Sequence, residues 1–470
     1  MINKTSIIEK TVSFASRANK SLYKHAEIDD LAVRIWEKYA TGDSEASLLE
    51  QSLYNEGITI EDIASKIQVL NVSDSCRDPE NLWISSLDVI IERYSAAAKR
   101  TLQFDTTYSV ARVCLLPFLR YYEEKIEALV HKYKTHFLED AAISYSKLLF
   151  ERLAFCADDT LLTCARCYVN SYDVPYWRTV PPTEESKHFI QWFYSDGFAQ
   201  IINTYPLVLK KLILLAEIHV KNFDIFLSNY QNDINAISEL LNTSPEKLKI
   251  ANISGNLSDS HNLGQTVMRI EFLSGDRIYY KPRSVAVDIA WSTFIDKLRD
   301  EMFPTKLYVP KSIDRGSYGY MQEVKYSHVF SENELREYYR NAGGLCCIIS
   351  MLGGSDFHHE NIIAYGTIPV LVDVETIITP KPAPFYGLAE VNKSEGVSTH
   401  VGRTLMLQHW VGNSFTNSRD IGGFTSEDGS KQNIPTLLND LRQGAEHCIG
   451  DFVSGFTAAY VFFENKKPPG

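Results

Sequence analysis

The feature that most constrains the fold is a change of hydrophobic period just after His261. Up to about residue 250, apolar residues recur three and four positions apart, as in Ile126-x-x-Leu129-Val130-x-x-Tyr133 and Leu207-Val208-Leu209-x-x-Leu212-Ile213-Leu214-Leu215. That spacing gathers them on one stripe of a helix. Beyond His261, Thr266-Val267-Met268-Arg269-Ile270-Glu271-Phe272 alternates, Gly275-Asp276 turns the chain, and Arg277-Ile278-Tyr279-Tyr280-Lys281 alternates again. A β-hairpin ending on a lysine is predicted. Helices first and strands later make the expected class α+β.

Local signals divide the chain into a mainly helical region over 1–245, a small lobe over 246–330 and a larger lobe over 331–470. Pro181-Pro182-Thr183 and Ser244-Pro245-Glu246 are helix starts, combining hydroxyl caps, early proline and carboxylates near the positive helix end. In the small lobe a helix is expected from about Val285 to Arg299, then strands at Leu307-Tyr308-Val309-Pro310 and from Tyr318 to Val324. Ser331-Glu332-Asn333-Glu334 is a capping box that launches a helix ending at Gly353-Gly354. Asn361 to Tyr365 and Pro369 to Asp373 form a hairpin around Gly366-Thr367-Ile368. Pro380 to Pro384 and Gly412 to Gly429 are loops, and Leu437 to Phe463 is helical.

Composition excludes some classes of function. The 47 Lys and Arg against 59 Asp and Glu leave a formal charge of −12, the wrong sign for a broad nucleic-acid surface. The N-terminus, Met1-Ile2-Asn3-Lys4-Thr5-Ser6, leads into charged amphipathic sequence with no apolar signal core and no integral membrane segment, so the expected compartment is the cytoplasm. The eight cysteines sit mostly in apolar helical contexts and are expected as buried thiols. Cys164-Ala165-Arg166-Cys167 has metal spacing but no second pair to complete four ligands, so no zinc is expected.

The chemistry concentrates in Asp356-Phe357-His358-His359-Glu360-Asn361, followed twelve residues later by Asp373-Val374-Glu375. Phosphoryl transfer needs a carboxylate to orient or deprotonate the attacking hydroxyl, and an amide oxygen with a second carboxylate to hold Mg²⁺ against ATP. Asp356, Asn361 and Asp373 supply these types in that order, with Glu375 beside them. Protein kinases use the same five-residue step from base to metal-binding Asn. Such a site also needs a small-lobe cation for the phosphates, which Lys281 provides, and Glu323 lies where a hinge to adenine would run. The same loop permits a metal hydrolase, with His358, His359, Glu360, Asp356 and Asp373 around zinc or a metal pair, although adjacent histidines in extended backbone point apart.

These residues resemble the N-terminal dehydratase domain of class II lanthipeptide synthetases, also called type 2 lantibiotic modification enzymes. The resemblance rests on Asp259-Ser260-His261 with Gly264 and Thr266-Val267, Tyr280-Lys281-Pro282-Arg283, Asp356 to Asn361, Ile363-Ala364-Tyr365-Gly366, and Asp373-Val374-Glu375-Thr376. It implies a lipid-kinase-like two-lobed core elaborated by helices, acting with ATP and Mg²⁺ on a ribosomal precursor peptide that bears a leader. Lys281, Asp356, His358, Asn361 and Asp373 would serve phosphorylation of Ser and Thr. Asp259, His261 and again Lys281 would serve elimination of the phosphate to dehydroalanine or dehydrobutyrine, which needs a base and a cation beside the leaving group. Residues 1 to 240 share only helical character with the family.

The resemblance also implies an Arg-and-Thr segment and a zinc-binding cyclase domain beyond the helix at Gly455-Phe456-Thr457-Ala458-Ala459-Tyr460, and the chain stops at Gly470 before either. A truncated kinase module is therefore the expectation. A catalytically incomplete peptide-binding scaffold is the alternative.

Overall fold

The computed structural model describes residues 82–98, 109–138, 141–169, 184–255, 264–379, 401–411, 419–425, 432–437 and 448–466. Asp259, His261, the Pro181 helix start and the loop at Pro380 to Pro384 lie outside them. The chain divides into two compact units, one of residues 1–230 with 260–265, the other of 231–259 with 266–470. Together the described elements are α+β.

The first unit is built from helices α1 (Leu82–Ala98), α2 (Val110–Lys132), α3 (Ala141–Val169), α4 (Glu184–Trp192), α5 (Phe198–Thr204) and the first part of α6 (Pro206–Leu241). Ser109 caps α2 by accepting from the amide of Arg112 at 3.3 Å, which satisfies one of the free N-terminal donors. Between α4 and α5 a π-helical segment, Phe193–Gly197, widens the helix where the Trp192 ring lies over Gly197. A Cβ there would come within 2.7 Å of the indole, so the glycine makes room for the ring. Aromatic packing fills the interior, with Tyr94 stacked on Phe198 at 3.7 Å. Glu217 is the polar centre of the unit, accepting from Ser86, Tyr122 and Lys125 at 2.5, 3.0 and 2.7 Å.

The second unit carries a five-stranded antiparallel sheet of β1 (Ile250–Ser254), β2 (Met268–Phe272), β3 (Arg277–Lys281), β4 (Ser312–Asp314) and β5 (Gly319–Gln322), in the order β1-β2-β3-β5-β4. The expected hairpin is β2–β3, with Ile270 opposite Ile278 and Gly275 at φ 83°. That positive φ is why glycine occupies the turn. Strand β1 carried no clear alternation and was not anticipated. Helix α7 (Ala286–Asp300) follows β3, one residue inside the expected start.

The strand expected at Leu307 to Pro310 does not form; β4 begins at Ser312. Pro310 has no amide to give a ladder, and the amide of Lys306 is already committed to Asn341 Oδ1 at 2.8 Å. Pairing therefore starts where Gln322 N donates to Lys311 O at 2.9 Å.

Helix α8 (Glu332–Leu352) has the cap its sequence announces, with Ser331 Oγ accepting from Glu334 N at 3.3 Å. The reciprocal bond is displaced by one residue, since Glu334 Oε2 accepts from Phe330 N at 2.6 Å. Gly353 ends the helix at φ 73°, the left-handed cap. The hairpin β6 (Ile362–Tyr365) and β7 (Ile368–Leu371) follows, then short strands β8 (Trp410–Val411) and β9 (Arg419–Asp420), and helix α9 (Ile449–Glu464). Helical structure is thus described over the second part of the stretch from Leu437 to Phe463.

The core of this unit packs Trp291, Ile295 and Leu298 of α7 and the Leu335, Tyr338 and Ile349 face of α8 against Phe357, Ile362, Phe424 and Phe452. Phe357 is fully buried and carries the polar loop between α8 and β6 on an apolar anchor. Cys346 and Cys347 are buried on α8, and burial pushes their thiols up to about 12 and about 11. Cys164 and Cys167 lie on α3, half-buried and exposed. Among the described residues no helix is long and apolar enough to cross a membrane.

Candidate active site

Lys281 is the last residue of β3 and pairs in register with Gly319 of β5. A Cβ at Gly319 would collide with Val285 and with the carbonyl of Ile313, so glycine lets the start of α7 close onto the strand end. That start is fixed by Asp314, whose Oδ1 accepts from Val285 N at 2.8 Å and Ser284 Oγ at 3.0 Å. These bonds, the Val285 amide first, hold the Asp314 carboxyl below its ordinary range. The result sets Asp288, in the first turn of α7, against the lysine.

Lys281 Nζ donates to Asp288 Oδ1 at 3.1 Å and to the carbonyl of Val372 at 2.9 Å, and its side chain is 3% exposed. A buried ammonium needs such partners, since an unpaired one would cost several kcal/mol. Arg283, two residues on, reaches three carboxylates: Asp373 at 2.6 Å, Glu375 at 3.1 Å and Asp288 at 3.7 Å. Lys281, Arg283, Asp288, Asp373 and Glu375 form one charge cluster.

The loop from Ser355 to Asn361 is pinned at alternate amides. Ser355 N donates to Thr376 O at 3.2 Å, Phe357 N to Thr404 O at 2.9 Å and His359 N to Ile421 O at 3.1 Å. The residues between them, Asp356, His358 and Glu360, keep 55%, 21% and 76% of their side-chain surface exposed. His359 is buried, its Nδ1 3.0 Å from the same Ile421 carbonyl. The two histidines do not point apart as extended backbone would make them: the chain turns here, Asn361 N donating to His358 O at 3.0 Å, so the ring centroids lie 5.5 Å apart and Glu360 is 3.9 Å from His358 and 3.8 Å from His359. Asp356 has φ 68°, a left-handed conformation that Asp tolerates better than most side chains but that still carries strain.

Asn361 is fixed from below. Its Nδ2 donates to Asp356 O at 2.7 Å and lies 3.4 Å from His358 Nε2, and among the described residues its amide oxygen has no hydrogen-bond partner. The main chain joins this loop to the charge cluster, because Val372 N donates to Asn361 O at 3.0 Å while Val372 O accepts from Lys281. An amide oxygen and the carboxylates of Asp373 and Glu375 are hard oxygen donors that suit Mg²⁺. Among the described residues no three His, Cys, Asp or Glu side chains converge on one point as a zinc site requires.

The site falls inside a segment with recognised relatives. A family model described as a domain of unknown function, DUF4135, matches residues 205–445, just over half of the 470 residues. The chain belongs to the DUF4135 family. It is also 26% identical over 208 residues to the lacticin 481/lactococcin biosynthesis protein LcnDR2 of Lactococcus lactis subsp. lactis, a match covering 42% of this chain and 22% of that protein. The chain thus spans about a fifth of the length of the curated relative it matches.

Within the DUF4135 segment, the structure brings together Lys281, Asp356, His358, Asn361, Asp373 and Glu375, and leaves Glu323 apart. Glu323 follows β5 at the far end of β3 from Lys281, a separation of roughly 13 Å along the strand. There its amide donates to Arg277 O at 3.4 Å and its carboxylate lies 3.7 Å from the Arg277 guanidinium. One carboxylate oxygen, Oε2, is buried with no hydrogen-bond partner among the described residues.

Two residues of the DUF4135 site escaped the sequence reading. Asp288 pairs with Lys281 from the next helix, an arrangement that kinases use between a strand lysine and a helix carboxylate, and the only signal was an acid in the first turn of an amphipathic helix. Arg283 was visible beside Lys281, but nothing local shows that it spans Asp288, Asp373 and Glu375.

Proposed function

We propose that this chain is the ATP- and Mg²⁺-dependent kinase module of a lanthipeptide dehydratase, with a lipid-kinase-like two-lobed core, phosphorylating Ser and Thr of a ribosomal precursor peptide. The observation that carries this reading is the junction at Val372, which accepts from Lys281 and donates to Asn361 while standing next to Asp373. One residue thereby ties the phosphate-binding cation to Asn361 and stands beside Asp373, two of the three candidate metal ligands. The 26% identity to a lacticin 481/lactococcin biosynthesis protein supports the substrate class.

In the proposed reaction Asp356 takes the proton of a Ser or Thr hydroxyl, whose oxygen attacks the γ-phosphorus of ATP as the bond to ADP breaks. His358, 3.7 Å from Asp356 Oδ1, stands beside the carboxylate and would favour its charged form when protonated. Asn361 and Asp373, with Glu375 beside them, would hold Mg²⁺, which supplies positive charge against the phosphates when bound. Lys281 neutralises charge on the transferring group, and Asp288 fixes the lysine.

The second stage breaks the Cβ–O bond. A base removes the α-proton, a Cα=Cβ double bond forms, and inorganic phosphate departs against Lys281. Asp259 and His261 are proposed to supply and orient the base.

Mass spectrometry of the precursor peptide encoded nearest this chain, incubated with the protein, ATP and Mg²⁺, tests the reading. Gain of phosphate, abolished by Asp356→Asn and Lys281→Met, is the expected result. Loss of water would add the second stage. An unmodified peptide, with folded protein that fails to bind ATP and Mg²⁺ by calorimetry, would sink it.

A further inference from the structure

Behind α7 and α8 lies a cavity of about 750 Å³ whose lining includes four cations, Arg299, Lys306, Arg336 and Arg340, and two carboxylates, Glu337 and Asp451. Its local charge is therefore positive in a chain whose formal charge is −12. We propose that this cavity is a docking site for an acidic peptide segment. The proposal does not rest on reading Lys281 to Glu375 as a phosphotransfer site.

The cavity is built rather than incidental. Arg336 and Arg340 are one helical turn apart on α8, so both face the same side. Asn341, 3% exposed, fastens its walls: its Oδ1 accepts from Lys306 N and its Nδ2 donates to Thr367 O, both at 2.8 Å. Three of the cations are held by neighbours. Lys306 pairs with Glu337 at 2.5 Å, Arg340 with Asp451 at 2.9 Å, and Arg299 with Asp296 at 2.6 Å.

Arg336 differs from them, having no ion-pair partner among the described residues. Its planar fork is suited to a carboxylate, which it can hold through two parallel hydrogen bonds. Lys306, Glu337, Arg340 and Asp451 are already matched with one another, so Arg336 carries the cavity's unbalanced charge.

The size and the mixed lining favour a peptide over a small anion or a polyphosphate. The volume falls within the range of small-molecule and peptide clefts and is far beyond one anionic group. Apolar Ile295, Leu307 and Ile368 line it beside the cations, offering a place for side chains between carboxylates. Glu337 and Asp451 would repel a chain of phosphates but can accept from peptide amides.

Fluorescence anisotropy on the full chain tests the site with labelled heptapeptides that alternate Leu with Glu, Gln or Lys. The Glu peptide should bind about tenfold or more tighter than the Gln peptide, a difference of about 1.4 kcal/mol, and the Lys peptide weakest. Arg336→Glu should lose at least that factor with an unchanged melting temperature, while Arg336→Lys keeps part of it. Lys306→Glu, on an exposed loop residue, reports the same loss should Arg336→Glu fold poorly. Equal binding of the three peptides, retention of affinity in both Glu variants, displacement by equimolar inorganic phosphate, or preference for an RNA oligomer would each overturn the proposal.

Discussion

Lys281 and Asp288 meet 3.1 Å apart with both side chains almost wholly buried, 3% and 6% exposed. Removing one member of such a pair strands the other charge in a poor solvent, at a cost of about 3–5 kcal/mol. Asp288→Leu should therefore lower the melting temperature of the sheet-bearing unit clearly, and Lys281→Met should do the same. The double variant should be more stable than the sum of the two losses implies. Thermal unfolding of all four proteins measures the coupling, and strict additivity would show that the pair does not act as one.

Arg283 neutralises Asp373 and Glu375, contacting them at 2.6 and 3.1 Å. Replacing it with Gln leaves two carboxylates facing each other with less positive charge nearby. Divalent-ion affinity without nucleotide should then rise severalfold, and Asp373→Asn should abolish it. Titration with Mn²⁺ followed by electron paramagnetic resonance reads both directly, and an affinity unchanged by Arg283→Gln would refute the charge argument.

Helices α8 and α9 cross with backbone almost in contact. A Cβ at Gly343 would collide with the carbonyl of Phe452, and one at Gly455 with the carbonyl of Arg340. Neither obstacle is a side chain that can turn away, so Gly455→Ala must push the helices apart. A loss of about 1–3 kcal/mol or more is expected in chemical denaturation. The nearby Ser454→Ala, at an exposed position on the same helix, should be close to neutral.

His219 makes the helical unit acid-sensitive. Burial first, and the Arg152 charge second, lower its imidazole from 6.5 to about 3, so the folded form keeps it neutral where the unfolded chain binds a proton. The contribution is whole above pH 6.5 and is lost as pH falls from there toward 3, by at most ~1.4 kcal/mol per pH unit. Denaturant unfolding at pH 7 and pH 5.5 should differ by about 1 kcal/mol from this residue. In His219→Gln that share of the difference should vanish.

What was legible in the sequence was short in range. The β2–β3 hairpin follows from alternation around Gly275, the ends of α8 from Ser331 and Gly353, and the β6–β7 hairpin from apolar runs about Gly366. The expected opposition of His358 and His359 failed, because it assumed extended backbone where the chain turns and leaves the ring centroids 5.5 Å apart. The expected strand at Leu307 failed because an apolar run does not reveal that Asn341, thirty-five residues away, claims the amide of Lys306. Order along the chain put Glu323 directly after a small-lobe strand, and only the fold shows Arg277 beside it across the β3–β5 ladder.

The sequence by itself determined the β2–β3 and β6–β7 hairpins, the ends of α8 and the order of the chemical groups, Lys281, Asp356, Asn361 and Asp373. Those properties are set by backbone hydrogen bonding, φ preferences and hydrophobic period, all decided within a few residues. Only the tertiary structure decided that Asp288 neutralises Lys281, that Arg283 spans three carboxylates, and that Arg336 lines a cavity with no ion-pair partner among the described residues. A charge finds its partner through burial and packing between segments distant in the chain, and no local pattern records which segments those are.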